Sequence, residues 1–137
     1  MEILQNVHSY LAYVVLIVLI LAVFNAVTGL VANRMFTLQK DFRISLSALI
    51  LSHLQLFLGV LLFFFSTSGL KALQAVGMSG LNAPARLLAV EHPFINIIAI
   101  VLITIGWSRH KKFMEGKKKF KSIALFYGLG LLLILSR

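Results

Sequence analysis

Four apolar runs dominate this chain, and each approaches the length that crosses a bilayer as a helix. They cover residues 11–31, 44–65, 87–107 and 120–135, the last being short unless Phe120 is counted. About 20 residues at 1.5 Å each are needed to cross ~30 Å of hydrocarbon. In hydrocarbon every backbone N–H and C=O must be paired within the spanning structure, so a single apolar run of this kind is read as a helix. Composition agrees: 12% of the 137 residues are charged, against about 25% in a soluble domain, and the mean hydropathy is +0.97. The expected fold is all-α, a single four-helix transmembrane bundle over residues 1–137. The first run lacks a basic leader and is long enough to span, so it is read as a retained helix.

Lysine and arginine orient the bundle. The connection between the first two runs carries Arg34, Lys40 and Arg43, and that between the last two carries Arg109, Lys111, Lys112, Lys117, Lys118, Lys119 and Lys121. The opposite side holds only Lys71, Arg86 and Arg137. The two basic connections are therefore expected in the cytoplasm, with both termini on the outer, periplasmic side. The net charge of +9 is then a topology signal and a contact for anionic lipid headgroups. It does not indicate nucleic acid, since the basic run is a tight loop with only Phe113 and Phe120 interleaved. There is no cysteine, which excludes disulfides, thiol chemistry, iron–sulfur clusters and covalently attached haem.

Glycine and proline punctuate the rest. Leu70, Leu73 and Val76 fall at helical spacing between Gly69 and Gly77, predicting a short interfacial helix over the outer mouth of the bundle. Pro93 lacks an N–H and would clash with the Ala89 carbonyl, predicting a kink in the third span. Close helix packing is expected at Ala22, Ala26, Gly29, Gly128 and Gly130. Trp107, Tyr10 and Tyr13 suit interfacial aromatic belts. Glu91 and Arg86 are placed to pair at the outer end of the third span.

The polar groups that remain inside the apolar runs ask for a chemical reason, because hydrocarbon penalises them by a few kcal/mol. His92, Asn96, Ala99 and Ile103 share one helical face. His53 lies close to the middle of the second run, on a face with Leu49, Leu56, Phe57 and Val60, and Gln55 points about 160° away from it. His8 precedes the first run, on a face of small and aliphatic residues, Ala12, Val15, Leu19, Ala22 and Ala26. His110, among Arg109, Lys111 and Lys112, reads as a solvated interface residue.

Neutral imidazoles facing one another from different helices in apolar surroundings are the axial ligands of a b-type haem. By depth, His53 lies roughly 3 Å inward of its span's midpoint, His92 roughly 8 Å outward and His8 roughly 18 Å outward. Both His53–His92 and His8–His92 are thus offset by about 10 Å, a gap that tilt of about 20° and the Pro93 kink would have to close. The expected pair is His53 and His92, both embedded, with His8 as a supporting residue or alternative ligand and Asn96 beside His92.

The segments His8-Ser9-Tyr10, Ser52-His53-Leu54-Gln55, Glu91-His92-Pro93 and Ser108-Arg109-His110-Lys111-Lys112 resemble those of a small four-span bacterial inner-membrane family whose members are often labelled "cytochrome B". The resemblance covers nearly the whole chain. More distantly the chain is similar to four-helix membrane b-type cytochromes, which carry one or two haems between histidines of adjacent helices. It implies a bacterial inner-membrane location, one haem b in the outer half, and electron transfer with a quinol or membrane partner. Two other readings stay open at this point. One is a non-redox accessory subunit of a larger membrane complex or homo-oligomer; the other is a protein that handles haem or another hydrophobic metabolite without stable ligation. No hydrolytic set is present: the chain has no Ser/His/Asp face, no carboxylate pair and no glycine-rich phosphate loop.

Overall fold

A helix apolar on every side has no preferred face, so length and end signals, more than amphipathicity, decide where its elements begin and stop. The computed structural model describes all 137 residues, Met1 to Arg137, as helices joined by short turns. The long elements are α1 (Glu2–Val31), α2 (Arg43–Phe65), α5 (His92–Lys112) and α6 (Gly116–Ser136). Two short helices, α3 (Leu70–Val76) and α4 (Ala83–Arg86), lie between α2 and α5. Widened π-helical turns at Leu38–Phe42 and Leu87–Glu91 lead into α2 and α5. Four continuous helical stretches are long and apolar enough to cross a membrane: Glu2–Val31, Leu38–Val76, Ala83–Lys112 and Gly116–Ser136.

The ends follow local chemistry. Beyond α1, Asn33 adopts φ 54°, the left-handed region that asparagine tolerates better than most residues. It places the Arg34 N–H on the Gly29 carbonyl at 3.0 Å and its own N–H on the Leu30 carbonyl at 3.3 Å, which together are a Schellman stop. The chain therefore reverses sharply and brings Arg34 back against α1. The expected interfacial helix is α3, capped by Gly69 and by Gly77 at φ 71°. It packs on the end of α2 and on the Leu87–Glu91 turn. Pro93 acts through a change of helix type: with no N–H there to serve the Ala89 carbonyl, the helix widens and the His92 N–H bonds Leu87, five residues back.

The four long helices form a closed ring in the order α1, α2, α5, α6, so α1 faces α5 across the diagonal. Both termini lie at one end and the basic connections at the other. The core is concentrated in the basic half, where Leu19, Ala22, Ala26, Ala48, Ile103, Trp107, Phe120, Ile123 and Tyr127 pack together. Large apolar side chains point outward elsewhere, among them Ile17, Phe24, Phe57 and Leu132, the arrangement a hydrocarbon solvent permits and water does not. Ala22, Ala26 and Gly29 are buried between helices. A Cβ on Gly130 would stand 2.7 Å from Ile103 Cγ1 and 3.0 Å from the Ala99 carbonyl, so α5 and α6 meet there almost backbone to backbone.

Gly128, in contrast, has no atom within 4 Å of a Cβ position and faces away from the bundle, against the sequence expectation. Gly106 supplies the close contact instead, against Phe126 and the Ser122 carbonyl. Gly130→Leu is therefore expected to destabilise the bundle by about 1–3 kcal/mol through overpacking, and Gly128→Leu to leave it unchanged. Thermal melting of the two variants in detergent checks the contrast.

Candidate functional site

At the end that carries the termini, each of the four long helices sends a polar group toward the bundle axis. From α1 comes His8, from α2 Gln55, from α5 His92 and Asn96, and from the end of α6 the main chain of Arg137. The His8 and His92 rings lie 6.3 Å apart between centroids, their planes at 83°. Their helices are diagonal neighbours, so the two imidazoles meet across the mouth of the bundle rather than along one groove.

The hydrogen bonds orient both rings. His92 Nδ1 lies 3.0 Å from the main-chain oxygen of Arg137, which can only accept, so Nδ1 carries the proton. Asn96 Nδ2 gives one hydrogen to the His92 carbonyl at 2.7 Å and lies 3.3 Å from the same ring nitrogen, a longer contact than the one to Arg137, whose oxygen needs a donor. The lone pair of His92 is thereby left on Nε2. Gln55 Nε2 donates to the His8 carbonyl at 2.8 Å. Two buried side-chain atoms lack partners, His8 Nδ1 and Gln55 Oε1. One is a potential donor and the other an acceptor, and Gln55 is already anchored to His8. Buried polar atoms are rarely left unpaired, and a proton on His8 Nδ1 directed to Gln55 would free Nε2 there too. Gly59 gives the His8 ring its room, since a Cβ would stand 3.3 Å from His8 Cε1.

Glu91 pairs with Arg86 at 3.5 Å, as expected, and also with Arg137 at 3.2 Å. These groups border an open cleft of about 590 Å³ lined by Ala83, Pro84, Leu87, Glu91, Leu135, Ser136 and Arg137, one residue along the chain from His92.

His53 is not part of this cluster. It is exposed on the outer surface of α2, with Nδ1 2.8 Å from the Leu49 carbonyl and Nε2 3.2 Å from Thr104 Oγ1. Thr104 lies 12 positions beyond His92 on α5, about 18 Å along the helix. The structure thus brings His92 to His8 and keeps it away from His53. The inward face of α2 runs through Ser45, Ala48 and Ser52 to Gln55, and the 160° that separates Gln55 from His53 turns the histidine outward.

His110 is also not where a basic loop would suggest. It is 1% exposed, stacked near Trp107 at 4.5 Å and Phe36 at 5.5 Å between centroids. Lys119 Nζ donates to its carbonyl at 3.0 Å. The reversal after α1 folds aromatic residues over it, which the local charge density conceals.

A second polar centre lies at the basic end, and its signal in the sequence is an asparagine in an apolar run and one acid among three cations. Asp41, fully buried, accepts from Asn25 Nδ2 at 2.7 Å and from the Thr37 N–H at 2.8 Å. Arg34 Nη1 reaches both of its carboxylate oxygens, at 3.1 and 3.2 Å. Arg34 Nη2 adds the Asn25 side-chain and main-chain oxygens. The Asp41 carboxylate, the Asn25 amide and both Nη groups of Arg34 engage one another, so the centre ties the first connection to α1. Neither centre assembles three or more His, Asp or Glu side chains as a metal cage; what the terminal end offers is two imidazoles. Comparison with protein-family models, curated proteins and solved structures finds no match to this chain.

Proposed function

We propose that this chain is a multi-pass protein of the bacterial inner membrane that binds one b-type haem in the outer half of its bundle, with His8 and His92 as axial ligands. The spacing of the two rings carries the proposal. Two imidazoles on opposite sides of one metal atom, with bonds of about 2.0 Å and ring radii of about 1.1 Å, have centroids about 6.2 Å apart. The observed separation is 6.3 Å. Three further features support a fit. Arg137 meets His92 at Nδ1 and leaves Nε2 toward the other ring, Gln55 anchors the His8 main chain, and Gly59 leaves space beside the His8 ring. The tight core lies in the other half of the bundle, so a flat group would enter where the helices are less closely packed.

Bound there, a haem would supply one-electron exchange, with a potential tuned by the two histidine nitrogens and the apolar walls. The chain's own residues do the rest. His8 and His92 would hold the group, Arg137 orients the His92 ring from behind, and Gln55 fixes the His8 main chain. The Arg86–Glu91–Arg137 ion pairs border the outer rim. With the basic connections in the cytoplasm, the site lies toward the periplasmic face, within reach of a quinol in the outer leaflet or of a neighbouring membrane subunit.

The test is a reduced-minus-oxidised absorption spectrum of the chain purified in detergent after expression with ample haem. A shifted Soret band with resolved α and β bands on reduction, at about one haem per chain, is expected. A colourless, folded protein overturns the proposal and leaves the accessory-subunit reading in its place.

A further inference from the structure

The opposite end of the bundle carries a second cleft, of about 480 Å³, between the 33–36 connection and the start of α6. Its charged lining is Arg34, Lys117, Lys119 and Glu115. These cations are not equivalent. Arg34 is committed to Asp41. Lys119 is held in place by its bond to the His110 carbonyl and by the Phe36 ring, 5.5 Å from its ammonium, yet it has no carboxylate partner. Lys117 has none either. Across residues 109–121 there are seven lysines and arginines and one acid, Glu115. The cleft therefore has an uncompensated positive charge, part of it fixed in position.

Its rim is apolar. Met35 and Met114, both in the cleft wall, are 82% and 96% exposed. Cations in a recess and bare apolar side chains around it suit one kind of partner, a molecule with an anionic head and a hydrocarbon tail. A soluble anion would find the charge but leave the rim uncovered.

We propose that this cleft binds the phosphate headgroup of an anionic phospholipid from the leaflet at the basic end. Lys117 and Lys119 meet the phosphate, and Met35 and Met114 line the path of the acyl chains. The site does not depend on the haem reading, because none of its residues belongs to the terminal-end cluster.

Native mass spectrometry of the purified chain, titrated with phosphatidylglycerol or phosphatidylcholine, tests it. Bound phosphatidylglycerol is expected in preference to phosphatidylcholine. Lys117→Gln with Lys119→Gln should weaken it about 25-fold, near fivefold per lysine. The control pair Lys112→Gln with Lys121→Gln, equal in charge but outside the cleft lining, should cost less than about threefold. The single variant Lys117→Gln keeps the Lys119–His110 bond, so its loss of about fivefold is read on an intact fold. Equal losses in the two double variants would mean diffuse attraction to the whole loop, and absence of headgroup preference would mean no site; either overturns the proposal. Full displacement of the lipid by soluble glycerol phosphate would reassign the cleft to a free phosphate and overturn it as well.

Discussion

His8→Ala and His92→Ala are each expected to strip the haem from the purified chain, whereas His53→Ala keeps it. Losing a group that merely supports a metal ligand costs about 10–100-fold in affinity, and losing the ligand costs at least as much. Haem per chain should therefore fall at least about tenfold in either ligand variant, and free imidazole should restore part of the spectrum by filling the opened position. Gln55→Leu should weaken binding by about tenfold without abolishing it, because the bond that positions the His8 main chain is lost while the ligating nitrogen stays. His53 gives the contrast: its nitrogens are engaged by Leu49 and Thr104 on the outer surface of α2, so its removal breaks a bridge to α5 and no axial bond. The opposite pattern, with haem retained in His8→Ala and lost in His53→Ala, would discard the pair proposed here.

The four long helices were legible because hydrocarbon leaves a chain so few options: apolar length alone names a spanning helix. The end signals were legible too, Gly69 and Gly77 around α3 and the Arg86–Glu91 pair at the mouth. The face of α2 was not. In water an apolar stripe reveals which side is buried, but in lipid the outer side is apolar as well, so Phe57 and Val60 made a convincing wall for His53 while facing outward. The quieter series Ser45, Ala48, Ser52 and Gln55 marked the inside, in keeping with the preference of membrane helices for small and hydrogen-bonding residues where they meet.

Depth misled for a related reason. Counting from an apolar run that starts at residue 11 leaves His8 outside the span, whereas α1 begins at Glu2 and carries His8 as an ordinary helical residue. The π-helical turn before His92 shifts the register on the other side. Hydropathy marks where hydrocarbon begins, and a helix need not begin there. The Asp41 centre escaped for the opposite cause: an acid among Arg34, Lys40 and Arg43 has the pattern of a solvated loop, and only the reversal at Asn33 turns it inward.

Asp41→Ala is expected to be the most destabilising single substitution outside the helix contacts. It would leave Asn25 Nδ2 and the Thr37 N–H without their acceptor and Arg34 without its counter-charge. Breaking a buried ion pair from one side costs about 3–5 kcal/mol. Arg34 is about a third open to solvent (32%) and can recover water, so about 2–4 kcal/mol is expected here. Asp41→Asn keeps the shape and one acceptor oxygen and should cost about half as much.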